Sequence, residues 1–187
     1  MPVARTPDAN VRQESPRKVA MQRGSARTLF LVLVACAALF VWLTSRALPE
    51  LAASHFVASG TANGFMSRTI YVRFMLLFVV VLPLVLVFVP SVSLNNRKAG
   101  IRLPNRDYWL APERRAETVE FLRQHMARFG SMLVVFLCYI HWLVVRANSV
   151  FPPNMPAPWA VGGIGVFVVC ALIWVRALLR RFGNVPR

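Results

Sequence analysis

The chain has 187 residues, 57% of them hydrophobic, and its 22 Lys+Arg against 7 Asp+Glu give a net charge of +15. A soluble nucleic-acid binder would share that charge but not the apolar runs of about 20 residues seen here, and the length excludes a large soluble domain beside several spans. Apolar and basic residues occupy alternating blocks, which is the pattern of a multi-spanning membrane protein.

Residues 1–27 carry six basic residues against Asp8 and Glu14 and show no apolar periodicity. They read as a disordered basic cytoplasmic tail. The first span is expected from Thr28 to Ser45, on the order of 27 Å at the helical rise. The long leader argues against a cleaved signal peptide. The run Leu33-Val34-Ala35-Cys36 mimics a lipoprotein box, but the apolar stretch continues past the cysteine to Leu43. Residues 46–69 form a polar loop, and residues 28–90 comprise this loop with the two spans around it. The second span runs from Ile70 to Pro90, with a kink expected at Val79–Pro83.

Residues 91–128 form a basic cytoplasmic loop followed by a helix that Pro112 opens. Ala116, Val119, Leu122, Met126 and Phe129 recur at spacings of three and four and give that helix an apolar stripe. No strong breaker separates it from the next apolar run, so one helix should emerge from the cytoplasm and become the third span, Phe129 to Val145. A proline-dense connection, Ser149 to Pro158, precedes the fourth span, Trp159 to Leu179. Gly162, Gly163 and Gly165, and the Ala35/Ala37/Ala38 patch of the first span, would admit a close neighbour. Residues 129–187 thus hold the last two spans and a short basic tail.

Orientation follows from charge. Eighteen of the 22 basic residues fall in the tail, the 91–128 segment and the C-terminal end, against Arg46, Arg68, Arg73 and Arg146 on the other side. That asymmetry places both termini in the cytoplasm. Trp42, Tyr71, Trp142 and Trp159 fall at the expected outer boundary, as an aromatic belt would.

The familiar catalytic signatures, a phosphate-binding loop, a nucleophile elbow and a zinc-binding H-E-x-x-H, do not occur. No carboxylate lies inside a span, which disfavours a proton-coupled transporter built on an intramembrane acid. Cys36, Cys138 and Cys170 are isolated within apolar runs and read as packing residues, with no metal or cofactor expected. The basic face has a simple physical reading as contact with anionic lipid, with no nucleic acid required. The surface residues for it are Arg97, Lys98, Arg102, Arg180 and Arg181.

The loop is the most informative stretch. Leu48, Pro49, His55, Phe56, Gly60, Asn63, Gly64, Phe65 and Arg68 lie in it at fixed spacings. Asn63-Gly64 suits a tight turn with positive φ, with His55-Phe56 and Phe65-Met66 placed as short strands across it. The pattern resembles the bacterial membrane family called domain of unknown function 1648, over about 45 residues with the flanking spans. Thr61-Ala62 departs from it, since a proline often precedes the amide in that family. The stretch Leu103 to Arg115 also looks like the cytoplasmic loop of smaller members. The resemblance implies a module shared with membrane proteins that confer immunity to a secreted killing peptide and signal its presence.

The expected fold is therefore all-α: a four-helix transmembrane bundle, both termini cytoplasmic, with a cytoplasmic helix continuous with the third span and a small capping outer loop. The expected function is a non-enzymatic inner-membrane binding, sensing or immunity module. An accessory subunit of a larger membrane complex is the alternative, and a small transporter or membrane enzyme comes third. Expected partners are the bilayer, anionic lipid at the cytoplasmic face, and another membrane protein or a secreted peptide. His141 should lie roughly 18 Å along the third span, within reach of the loop. His55, Asn63, Arg68, His141 and Asn148 are thus the candidate ligand-binding residues, sharing one polar site.

Overall fold

The computed structural model describes residues 16–95 and 103–184. Its first helix, α1, runs Pro16–Thr44. Arg17, Lys18, Ala20, Met21 and Gln22 are good helix formers and no proline follows Pro16 before the apolar run, so the helix extends back beyond Thr28. The part of the 1–27 tail from Pro16 onward is therefore helical, and residues 1–15 lie outside the described residues.

A 3₁₀ turn, Ser45–Ala47, leads into a β-hairpin of β1 (Leu51–Phe56) and β2 (Ala62–Ser67). The chain is thus mostly helical rather than all-α. The strands are antiparallel, pairing Leu51 with Ser67, Ala52 with Met66 and His55 with Gly64. The turn is not at Asn63-Gly64, which lies in β2. It spans Val57 to Thr61, closed by Gly60 N–H to Val57 O at 2.8 Å and Val57 N–H to Thr61 O at 3.0 Å. Gly60 supplies the positive φ, +91°, and a side chain there would run into the Met155 carbonyl.

Ser67 caps the next helix, accepting from Ile70 N–H at 3.4 Å. That helix is α2 (Arg68–Leu76), which passes through a π-helical turn, Leu77–Val81, into α3 (Leu82–Asn95). The widened turn lies where the Pro83 ring would crowd the Val79 carbonyl, in the stretch where the sequence leads one to expect a kink. A short helix, α4 (Arg106–Trp109), precedes α5 (Pro112–Ala147) and α6 (Ala157–Gly183). At 36 residues α5 is about 54 Å long, more than a hydrocarbon core of roughly 30 Å can hold. One end of it must therefore project.

Among the described residues four helices are long and apolar enough to cross a membrane: Ala26–Ala47, Arg68–Pro90, Pro112–Ala147 and Ala157–Gly183. The core lies between α1, α2–α3 and α5. Phe30, Val34, Ala37 and Val41 repeat along one face of α1 and meet Tyr71, Met75, Val79, Val87, Ala127 and Val134. Gly130 lets the helices approach closely: a Cβ there would come within 2.5 Å of Val87 and 2.8 Å of Phe30. It serves contact between helices and does not interrupt α5. By contrast α6 sits at the periphery and buries none of its most apolar stretch, 0% against 33% for α5.

At the end opposite the hairpin, Val119 and Leu122 of the α5 stripe enclose Phe182, joined by Leu103, Trp109, Phe121 and Leu178. The α4 segment also satisfies the last carbonyls of α6. Asn105 Nδ2 donates to Phe182 O at 3.0 Å and Gly183 O at 3.1 Å, and Trp109 Nε1 donates to Phe182 O at 3.2 Å.

Candidate functional site

His141 faces the bundle and is fully buried. Thr44 Oγ1 donates to Phe40 O at 2.7 Å, so it accepts from His141 Nε2–H at 2.8 Å. That tautomer leaves Nδ1 as an acceptor for the Tyr71 hydroxyl at 2.9 Å. Tyr71 also stacks on the imidazole at 5.7 Å, and Phe40 meets it edge-on at 5.8 Å. Both ring nitrogens are thereby satisfied by side chains, one from α1 and one from α2. The trio ties the three core helices together and leaves no ring atom free for a ligand. Tyr71 therefore belongs to the interior, not to an aromatic belt: it is 4% exposed, whereas Trp42 and Trp159 are more than half exposed.

Asn148, at the end of α5, grips the hairpin. Its Oδ1 accepts from Ala53 N–H at 2.8 Å, and its Nδ2 donates to Ala53 O at 2.9 Å and Val144 O at 2.9 Å. Ala53 is fully buried, so these bonds satisfy backbone groups that water cannot reach. Arg68 closes the root of the hairpin, donating from its guanidinium to Leu48 O at 3.2 Å and from its backbone N–H to Glu50 O at 2.8 Å. The turn is fastened to the proline-rich connection by Met155 N–H to Gly60 O at 2.8 Å.

His55 and Asn63 form a separate pair on the exposed side of the hairpin, Nδ1 to Oδ1 at 2.6 Å. Since the amide oxygen accepts, Nδ1 carries the proton, and Nε2 has no partner among the described residues. The five candidate residues are thus not brought into one site. His141 is locked in the core, Asn148 and Arg68 hold the hairpin, and His55 with Asn63 face outward; no hydrogen-bond path links His55 to His141 among the described residues. The reason is local: Thr44 and Tyr71 reach the imidazole before the hairpin does, and the hairpin's inner face is filled by Ala52, Phe56 and Met66.

Two sites went unread in the sequence. His125 stacks on Trp174 at 4.4 Å, with Nε2 to Trp174 O at 3.2 Å and Trp174 Nε1 to His125 O at 3.0 Å, a reciprocal clasp between α5 and α6. Arg181 does more than face a surface: it pairs with Glu117 at 2.8 Å and lies over the Phe121 and Trp109 rings. Arg180 is exposed, and Arg97, Lys98 and Arg102 lie outside the described residues. Among the described residues no group of three or more His, Cys, Asp or Glu is placed to hold a metal ion.

No protein-family model, curated protein or solved structure matches the chain.

Proposed function

We propose that this chain is a non-enzymatic multi-pass protein of a bacterial inner membrane, with both termini in the cytoplasm, that binds a peptide or protein partner on the outward face of its hairpin. The orientation is supported by the basic asymmetry, eighteen residues against four. Arg180 and Arg181, with the 91–128 segment, then meet anionic lipid at the inner face. The observation that carries the binding role is the division of labour within the hairpin. Its inner side is fixed by Asn148 and Arg68, while Leu51, Phe65 and the His55–Asn63 pair stay exposed. A fixed surface that combines apolar side chains with a few open polar groups suits recognition, because little ordering entropy is lost on binding. Phe151, 97% exposed on the adjoining connection, extends the apolar area. The resemblance of the Leu48–Arg68 pattern to domain of unknown function 1648 supports a secreted peptide as the partner class.

A second reading, an accessory subunit that docks through α6, is favoured by a different observation. Gly162 and Gly165 face open space, and α6 buries none of its most apolar stretch. Photo-crosslinking in intact cells separates the two. A benzophenone side chain at position 65 should give a discrete adduct that His55→Ala weakens, and one at position 166 should give none. An adduct from position 166 alone would transfer the role to α6.

A further inference from the structure

A groove of about 480 Å³ opens between the end of α1 and the start of α2, apart from the outward face of the hairpin. It is lined by Arg46, Arg68 and Arg73, and among the described residues none of the side chains that line it is acidic. Among the described residues the three arginines make no ion pair; the guanidinium bond they do make is from Arg68 to Leu48 O. Ser45 also lines the groove. It is 3% exposed, and its Oγ has no hydrogen-bond partner among the described residues. An unpartnered hydroxyl so deeply buried is costly unless something supplies the missing bond. Trp42 on α1 and Val72 and Leu76 on α2 supply apolar lining, with Arg73 between the last two along the helix. Ala47 and Arg68 bound two of the candidate spans, so Arg46 and Arg68 sit at the edge of the apolar zone, Arg73 about 7.5 Å further in at the helical rise, and Trp42, Val72 and Leu76 within it.

We propose that this groove holds an anionic phospholipid, its phosphate between the arginines and the Ser45 hydroxyl and its acyl chain against Trp42, Val72 and Leu76. Three like charges around one space favour a net anionic headgroup over a zwitterionic one. Guanidinium forks match phosphate oxygens in pairs, and the serine hydroxyl adds a neutral donor. The apolar walls have no use for a free phosphate ion, which separates a lipid from a soluble anion. The site does not depend on which partner the hairpin takes.

The full chain in a neutral detergent is exposed to phosphatidylglycerol carrying a photoreactive acyl chain, and the adducts are mapped by peptide. Adducts should fall on the peptides that hold Trp42, Val72 and Leu76, and unlabelled phosphatidylglycerol should displace them. Phosphatidylcholine and inorganic phosphate at the same concentration should not. Arg46→Gln with Arg73→Gln should lower the groove adduct roughly tenfold, while adducts on α6 keep their yield and report that the fold persists. Ser45→Ala should give a smaller loss, roughly threefold. Undiminished groove adducts in the double variant would overturn the proposal. So would equal competition by phosphatidylcholine, which marks a non-selective lipid, or displacement by inorganic phosphate, which marks a soluble-anion site.

Discussion

The two ends of the bundle are held together by different physics. At the hairpin end, directed hydrogen bonds dominate: Asn148 to both backbone groups of Ala53, Arg68 to Leu48 O, and the turn to Met155. At the other end, rings enclose rings, alongside the hydrogen bonds from Asn105 and Trp109 to the last carbonyls of α6. Trp109 and Phe121 meet Phe182 at 5.4 and 5.7 Å, nearly edge-on, with Arg181 laid over the outside. The difference has a cause in the chain. The hairpin connects two spans through a short segment that buries Leu48, Ala52 and Ala53, and much of its order comes from satisfying the backbone groups buried with them. The opposite end has the stripe of α5, which can bury aromatic area whatever its exact angle. Hydrogen bonds fix one geometry, whereas an aromatic cluster fixes a contact.

That contrast can be broken at either end. The largest effect should come from Phe182→Ala, which empties a site that is 1% exposed and should cost about 3–5 kcal/mol in a detergent unfolding titration. A loss below 1 kcal/mol, on the order of an ordinary surface change, would mean the cluster does not bear on stability. Next comes Asn148→Ala, which leaves the buried N–H and C=O of Ala53 without partners, a cost of about 2–4 kcal/mol. Amide exchange should accelerate in β1 and stay unchanged around Phe182; uniform acceleration would erase the distinction between the ends. His141→Leu should cost about 1–3 kcal/mol by leaving the buried Tyr71 hydroxyl unmatched, with Tyr71→Phe in the same background recovering part of it. The smallest change is expected for Arg181→Gln, at most about 1 kcal/mol, because the ion pair with Glu117 is largely exposed. Added salt should shrink that difference and leave the Asn148→Ala difference intact.

How much of this was legible in the sequence differs between the ends in the same way. The α5 stripe of Val119 and Leu122 and the opening Pro112 were readable because burial by spacing is a local property of the chain. The hairpin was readable as paired short strands but not in its register. Asn63-Gly64 fits a turn by residue type, yet the close approach of Met155, far away in sequence, gives that role to Gly60. His141 was readable as a costly polar group that must face inward. Its partners were not, since Tyr71 looks the same in a sequence whether it faces headgroups or an imidazole. One signal was present: Tyr71, Met75 and Val79 repeat every four residues and mark the buried face of their helix. The grouping of five residues into one site failed because a shared end of the bundle does not imply a shared cavity.

The most direct test of the account is which side of the membrane each end faces. With Cys36, Cys138 and Cys170 replaced by alanine, Ser59→Cys on the exposed hairpin turn and Glu113→Cys at the exposed start of α5 are each treated in intact cells with an impermeant thiol reagent. Residue 59 should react, and residue 113 should react only after the membrane is broken. Labelling of residue 113 in intact cells, with residue 59 protected, would contradict this orientation.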